Sequence, residues 1–301
     1  MNKVIVIVGP TGVGKTKLSI ELAKHFNSEI INGDSVQVYK ELNIGSAKVR
    51  DDEKEGIVHH LLDIKNIEED YTIYDYQQDL RNKIEEFNST GLTPIIVGGS
   101  GLYLKSALYD YSFTKEDEEI NEYEDYSNEE LFELLKQKDE KEASKLHPNN
   151  RRRVVRTLNL IEKNNMSKTE MLETQEHKPL YDVIFIGLTL PREILYEIIN
   201  LRVDKMAKEG LLEEVKALFD KYKNTNYKSL QAIGYKELFS YFNEECSLEE
   251  SLELIKKKSR NYAKRQYTWF NNQFDVKWID VNLNNFKETI DSVVSYLEEL
   301  K

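Results

Sequence analysis

The chain has 301 residues, a length typical of two domains or of one core with a large insertion. Apolar residues make up 40% of it, which excludes a chain disordered throughout, and no apolar run is long enough to span a membrane. The net charge of −12, taken alone, argues against nucleic-acid binding. The single cysteine, Cys246, excludes a disulfide framework and predicts a cytoplasmic protein. Because a strand and a glycine loop follow Lys3 directly, we expect no signal peptide.

The first hundred residues alternate between strand and helix patterns, with glycines at the strand ends. In chain order we predict a strand at Lys3–Val8, a helix at Lys15–Phe26, strands at Glu29–Ile31 and His59–Ile64, a helix at Tyr74–Phe87 and a strand at Thr93–Val97. This alternation is typical of a doubly wound parallel sheet and predicts an α/β fold with a P-loop NTPase-like core.

The strand pattern stops between residues 111 and 179, where helices are predicted at Ser127–Lys145 and Asn150–Lys163. It resumes with an apolar strand at Val183–Leu190, a helix opened by Pro191, and a late strand at Val276–Ile279 that could join the sheet. We therefore predict a core formed by residues 1–110 and 183–301, interrupted by a helical insertion at 111–182.

Charge is unevenly distributed along the chain. Lys115–Glu142 carries 13 acidic residues against 4 basic, whereas Lys145–Lys168 carries 7 basic against 1 acidic, and Lys256–Arg265 holds six basic residues and no acid. A polyanion responds to local fields rather than to the mean charge, so nucleic acid remains a possible partner.

A phosphate-binding motif lies directly between the first strand and the first helix. Its eight residues fit GxxxxGK[ST]: Gly9, Pro10, Thr11, Gly12, Val13, Gly14, Lys15 and Thr16. Glycines allow consecutive backbone N–H groups to turn toward phosphate oxygens, Lys15 adds a full positive charge, and the Thr16 hydroxyl can bind Mg²⁺. The motif predicts a diphosphate or triphosphate ligand with Mg²⁺ as cofactor.

The acidic partner of this loop stands in an unusual place. P-loop ATPases and GTPases hold Mg²⁺ with an acid after a second apolar strand, but Thr93–Val97 is followed by Gly-Gly-Ser-Gly. Asp34 instead follows the strand after the P-loop helix, and the carboxyl ends of parallel strands meet at one crevice. We therefore expect Asp34 to face the phosphate loop. A turn or helix-cap role is the structural alternative.

Together these features resemble the tRNA dimethylallyltransferase family, also called tRNA isopentenyltransferases. The resemblance rests on stretches that occur in the family's order over nearly the whole chain: GPTGVGKT (9–16), DSVQVY (34–39), IGSAK (44–48), HHLLD (59–63), VGGSGLY (97–103), HPNNRRRVVR (147–156), QAIGYKE (231–237) and SRNYAKRQYTWF (259–270).

The resemblance implies transfer of a dimethylallyl group from dimethylallyl diphosphate to N6 of the adenosine 3′ of the tRNA anticodon, position 37. It implies that the P-loop holds the donor's diphosphate, with Asp34 as catalytic base, Arg202 and Lys15 on the diphosphate and Thr11 beside the reacting centre. The expected partner is the anticodon stem-loop, and we expect a monomer. The residues matching tRNA contacts are Asp34, Ser35, Val36, Gln37, Ser100, Arg152, Arg153, Val154, Val155, Arg156, Gln231, Gly234, Tyr235, Lys236, Arg260, Lys264 and Arg265.

One departure and three rival functions accompany this interpretation. Some family members have an arginine early in the insertion, where this chain has Asn121. The main rival is a nucleotide or small-molecule kinase that uses ATP, because a P-loop with a nearby acid also serves phosphoryl transfer. A prenyltransferase of free adenine nucleotides would need no extended basic surface. A non-catalytic RNA-binding protein would survive loss of Asp34 unchanged.

Overall fold

A computed structural model describes residues 3–111, 123–170 and 178–300. The chain forms two compact units, one made of Met1–Tyr109 with Pro179–Lys301 and the other of Asp110–Lys178. Of the helices described, none combines the length and apolar character that a membrane span requires. Asn121, the departure noted above, lies outside the described residues.

The first unit is built on a parallel sheet of six strands. In chain order the strands are Lys3–Val8 (β1), Ile30–Asn32 (β2), His59–His60 (β3), Ile95–Val97 (β4), Asp182–Thr189 (β5) and Val276–Asp280 (β6). Their order in the sheet is β3-β2-β4-β1-β5-β6, with β1 hydrogen-bonded to β4 and β5. The predicted α/β class with a parallel sheet is confirmed, and the late strand joins the sheet as expected.

The helices follow the predicted order, with bounds that differ by a few residues. They are Lys15–His25 (α1), Ile73–Thr90 (α2), Gly101–Leu108 (α3), Asn128–Lys138 (α4), Glu140–Ala143 (α5), Arg151–Asn164 (α6), Arg192–Lys208 (α7), Leu211–Tyr222 (α8), Tyr235–Phe242 (α9), Leu248–Gln273 (α10) and Phe286–Glu299 (α11). A short 3₁₀ helix covers Lys228–Gln231.

Both faces of the sheet are buried, which explains why its central strand is apolar throughout rather than alternating. Val4, Val6 and Val8 of β1 pack in one cluster, while Ile5 and Ile7 pack in the other. Successive side chains of a strand point to opposite faces, so one strand anchors both layers of helices. The loops that follow β1, β2 and β4 therefore start from a rigid edge.

Two predicted elements differ from the structure. The strand predicted at His59–Ile64 ends at His60, because Leu61 and Asp63 take left-handed φ angles of 58° and 55° that no strand accommodates. The helix predicted at Ser127–Lys145 is two helices. Asp139, at φ −156°, interrupts it and caps the second helix by accepting a hydrogen bond from the Glu142 N–H.

The second unit has its own small core. Its buried apolar side chains come from the region around Tyr123 and from α4, α5 and α6: Tyr123, Leu131, Leu135, Ala143, Val154, Leu158 and Ile161. On α6 the buried residues recur at intervals of three and four, which leaves the remaining positions to charged side chains.

Candidate active site at the carboxyl edge of the sheet

The P-loop turns between β1 and α1 in a conformation that only glycine fits at its first position. Gly9 has a φ of 134°, and a Cβ atom there would lie 2.6 Å from the carbonyl oxygen of Leu188 on β5. Gly14 precedes α1, and no described side chain caps that helix. The first amides of α1 are thus available to an anion, as the motif predicts.

Three predicted site residues meet at this loop, although they are distant in sequence. The Lys15 ammonium donates hydrogen bonds to the carbonyl oxygens of Gly9 (2.9 Å) and Pro10 (2.8 Å). Arg202, from the third turn of α7, donates through Nη1 to Oγ1 of Thr11 at 2.8 Å. Two cations and the loop hydroxyl therefore converge on one end of the P-loop.

The electrostatic environment of this cation pair is unfavourable to both charges. Burial and, to a lesser extent, the neighbouring Arg202 guanidinium lower the pKa of Lys15 to about 7, although Asp34 opposes the shift. Burial likewise lowers the pKa of Arg202, with Asp34 and Glu53 opposing. Among the described residues, neither side chain has a carboxylate within ion-pair distance. A bound polyanion would relieve both penalties.

Asp34 follows β2 by two residues and lies at the same edge of the sheet as the P-loop, as the topology predicts. Its carboxylate acts on Lys15 and Arg202. Its negative charge also contributes to the raised pKa values of three tyrosines. Burial is the main cause in each case, and together with Asp34 it raises the pKa of Tyr262 and of Tyr103 to about 12 and raises that of Tyr76 as well. The sequence did not single out Tyr262, since no motif marks a tyrosine whose pKa is affected by a carboxylate from another element.

The glycine-rich turn after β4 provides close packing and holds the Asp34 loop. A Cβ atom on Gly98 would lie 2.0 Å from the carbonyl oxygen of Gly33, so the ends of β2 and β4 touch only because both residues lack side chains. Ser100 Oγ accepts a hydrogen bond from the Ser35 N–H at 3.0 Å and donates to Ser35 Oγ at 3.2 Å. Ser100, predicted as a tRNA contact, is 9% exposed and contacts its neighbour in the loop.

The segment that follows Asp34, residues 35–48 (the 35–48 loop), is anchored at several points. Gln37 Nε2 donates to the carbonyl oxygen of Ser46 at 3.1 Å. The Glu214 carboxylate of α8 accepts hydrogen bonds from three consecutive amides, those of Asn43, Ile44 and Gly45, at 3.2, 2.8 and 3.1 Å. Sequence reasoning did not identify Glu214, because an acid on a charged helix carries no distinguishing signal.

The residues predicted to contact tRNA differ in accessibility. Arg152, Arg153 and Arg156 on α6 are exposed, as are Gln231, Lys236, Lys264 and Arg265. Val155 is half-buried, and so is Arg260, which donates to Oδ1 of Asn200. Val154 and Tyr235 are fully buried in the hydrophobic cores, so their side chains pack inside the protein, and Gly234 is buried beside Tyr235.

The fold and the loop define an α/β protein with a P-loop at the carboxyl edge of a parallel sheet, an arrangement suited to phosphorylated ligands. Residues 37–273 match the family model described as IPP transferase. The chain is 48% identical to a tRNA dimethylallyltransferase of Bacillus licheniformis, with both chains covered completely, and 48% identical to one of Anoxybacillus flavithermus, covering 99% of this chain and 96% of that one.

Solved structures agree with this match. The crystal structure of a tRNA isopentenylpyrophosphate transferase from Staphylococcus epidermidis is 39% identical, with a TM-score of 0.76 and complete coverage of both chains. A eukaryotic dimethylallyltransferase, captured in crystallographic snapshots while acting on tRNA, is 33% identical over 93% of this chain and 74% of its own, with a TM-score of 0.82. The chain belongs to the tRNA dimethylallyltransferase family, as the sequence motifs predict.

Proposed function

We propose that this protein transfers the dimethylallyl group of dimethylallyl diphosphate to N6 of adenosine 37 in tRNA and releases diphosphate. The observation that carries the proposal is the placement of one carboxylate, Asp34, beside a P-loop whose two cations have no carboxylate partner among the described residues. Such a site suits an anionic leaving group on one side and a proton acceptor on the other.

In the proposed reaction a C–N bond forms between N6 and the allylic carbon while the C–O bond to diphosphate breaks. The N6 amine is a weak nucleophile because its lone pair is delocalised into the ring, so departure of the diphosphate must be assisted. Lys15 and Arg202, together with the loop amides, stabilise the negative charge that develops on the leaving diphosphate. Asp34 accepts the N6 proton, a role typically worth about 10²–10⁴-fold in rate.

Magnesium is a proposed cofactor, and the residues present fit it. Thr16 lies exposed in the first turn of α1, directly after the P-loop lysine. Within the described ranges no cluster of three His, Cys, Asp or Glu side chains could hold a metal alone. Mg²⁺ commonly binds through one or two protein groups together with substrate phosphates, so Thr16 and the donor's diphosphate form a suitable set. When bound, the ion would neutralise charge on the diphosphate.

The exposed arginines of α6 and the exposed cations of α10 are the proposed tRNA contacts. Phosphate contacts position an RNA without reading its sequence, which suits flexible cationic side chains on helices. An anticodon-loop base can be unstacked for a few kcal/mol, so adenosine 37 can enter a pocket beside Asp34. A monomeric state stays a prediction, which sedimentation equilibrium would check.

The test incubates the protein with Mg²⁺, radiolabelled dimethylallyl diphosphate and an unmodified tRNA transcript that carries A37. We expect label in the tRNA and N6-isopentenyladenosine after nuclease digestion, with none in a matched transcript that carries G37. A parallel incubation with γ-labelled ATP replaces the donor. Phosphate transfer in that sample, without prenylation in the first, would favour a kinase instead.

A further inference from the structure

A buried side chain at the end of β2, Asn32, is bonded directly to the backbone of Asp34. Asn32 is 4% exposed. Its Oδ1 accepts a hydrogen bond from the Asp34 N–H at 3.0 Å, and its Nδ2 donates to the Asp34 carbonyl oxygen at 2.9 Å. A second N–H of the same amide donates to the carbonyl oxygen of Leu61 at 3.0 Å. The amide thus uses its oxygen and both of its N–H groups.

The Asp34 carboxylate is oriented by a similar local bond. Its Oδ1 accepts from the Val36 N–H at 2.8 Å, which makes a second Asx turn immediately after that of Asn32. The backbone of Asp34 is therefore held on both sides by one amide, and one carboxylate oxygen is held by the turn. Within the described ranges the other oxygen, Oδ2, receives no hydrogen bond and is available to a substrate proton.

Asn32 is itself fixed by its surroundings. The hydroxyl of Tyr76, a fully buried side chain of α2, donates to the Asn32 carbonyl oxygen at 3.2 Å. Leu61, which accepts from Nδ2, is the left-handed residue that ends β3. The Asn32 amide therefore connects the Asp34 turn to two elements that are set by the core.

We propose that Asn32 is a positioning residue that sets the Asp34 carboxylate for proton abstraction. The proposal rests on the proposed function, because it assumes that Asp34 is the base. Reacting groups must be held within a fraction of an ångström, and a displacement of about 1 Å can cost about 10²-fold in rate. An exposed turn aspartate without such a clamp would sample several positions.

The experiment measures single-turnover prenylation of tRNA at saturating donor, together with the dissociation constants of tRNA and donor. We expect Asn32→Ala to lower the rate by about 10–100-fold and to leave both dissociation constants within about threefold. Asn32→Ser retains an acceptor for the Asp34 N–H and is expected to be intermediate. We therefore expect the rate to decrease from the unaltered protein to Asn32→Ser and then to Asn32→Ala, while both dissociation constants stay nearly unchanged. A general loss of stability would not produce this pattern.

A matched control comes from another buried amide. Gln77 on α2 is 3% exposed, and its Nε2 donates to the carbonyl oxygen of Ser106 at 2.7 Å. We expect Gln77→Ala to lower the melting temperature as Asn32→Ala does and to leave the single-turnover rate within about threefold. Equal rate losses in both variants would overturn the positioning role. Should Asn32→Ala fail to fold, Asn32→Ser against Gln77→Ala makes the same comparison.

A double-mutant cycle separates this proposal from the role of Asp34 itself. If Asn32 acts through the Asp34 carboxylate, adding Asn32→Ala to Asp34→Ala changes the residual rate by less than about twofold. A further loss of tenfold or more would overturn the proposal and leave Asp34 as base. Full activity of Asp34→Ala would instead remove the proposed function of Asp34. A base contributes at most about 10⁴-fold, so the residual rate is measurable with labelled donor over hours.

Discussion

The two sides of the candidate site differ in how far their polar groups are stabilised by the protein itself. On the P-loop side, Lys15 and Arg202 contact carbonyl oxygens and a hydroxyl, and burial works against the charge of both. On the other side, the loop after β2 is bonded by Asn32, Ser100 and Glu214, with most polar groups partnered inside the protein.

This contrast indicates which side a ligand changes most. Burial disfavours the charges of Lys15 and Arg202, and a bound anion would stabilise both, so the P-loop side should respond strongly to diphosphate. The Asp34 side is already organised, so substrate binding should alter it little and substitutions there should lower the rate more than the affinity. The predictions below test that division, beginning with the largest effect.

Asp34→Ala should lower the rate of dimethylallyl transfer by about 10²–10⁴-fold, because the N6 proton loses its acceptor. Affinity for tRNA and for the donor should stay within a few-fold, since the 35–48 loop and the cations remain. Single-turnover kinetics and filter binding measure the two quantities. A variant that retains full turnover, or one that loses tRNA binding instead, would refute the assignment of Asp34 to proton transfer.

Lys15→Met should weaken binding of dimethylallyl diphosphate by about 10–100-fold, the equivalent of one or two charge-assisted hydrogen bonds. Isothermal titration calorimetry in the presence of Mg²⁺ measures the loss. Lys17, on the same helix and exposed, offers the control Lys17→Met, for which we expect less than a twofold change. Similar losses of donor affinity in both variants would contradict a direct contact between Lys15 and the diphosphate.

The lowered pKa of Lys15 adds a pH dependence to the same measurement. With a pKa of about 7, the Lys15 amino group of the free protein is mostly protonated below pH 7 and largely neutral at pH 9. A diphosphate favours the charged form, so binding should take up a proton, and affinity should fall by up to about tenfold per unit between pH 8 and 9. Lys15→Arg keeps its charge throughout and should give a flat profile. Equal slopes in both proteins would contradict this interpretation.

Arg152→Ala combined with Arg156→Ala should weaken tRNA binding by about tenfold and reduce the slope of log affinity against log salt by roughly one to two. Lys83→Ala, which removes a cation from α2, should change neither quantity measurably. Filter binding over a series of salt concentrations provides the slopes. If the salt slope of the double variant matched that of the unaltered protein, the α6 surface would not be a phosphate contact.

Glu214→Gln should have the smallest effect on the reaction and a clear effect on stability. A neutral amide is a weaker acceptor for the three consecutive N–H groups of Asn43, Ile44 and Gly45, so the free energy of unfolding should fall by about 1.5–3 kcal/mol. The rate at saturating substrates should change no more than a few-fold. The exposed neighbour Glu213 provides the control variant Glu213→Gln, for which we expect little change. Urea denaturation measures the free energy of unfolding of both variants.

The sequence predicted the phosphate site because its chemistry is local. The residues from Gly9 to Thr16 are contiguous, and the strand before them and the helix after them are strongly patterned. Asp34 was placed at the same edge by topology alone, since the carboxyl ends of parallel strands converge. The family resemblance alone placed Arg202 on the diphosphate and Thr11 beside the reacting centre. Their hydrogen bond was not predicted, because 191 positions separate them and no periodicity links them.

The residues that support the site, Asn32 and Glu214, could not be predicted because no local sequence pattern links them to the residues that they hold. Asn32 precedes a glycine turn, where asparagine is common, and nothing local shows that its amide holds Asp34. Glu214 is one of many acids on charged helices. The apolar residues around Leu61 predicted a longer strand, but the left-handed φ of Leu61 ends the strand before it. Such a backbone angle depends on tertiary context, which the local sequence pattern does not show.

The central claim is that the P-loop binds a prenyl diphosphate rather than a nucleotide. Equilibrium competition measures it most directly, with labelled dimethylallyl diphosphate bound in the presence of Mg²⁺ and displaced by unlabelled dimethylallyl diphosphate or by ATP. We predict that ATP competes at least about tenfold more weakly than the prenyl donor. Displacement by ATP at lower concentrations than by dimethylallyl diphosphate would contradict the account.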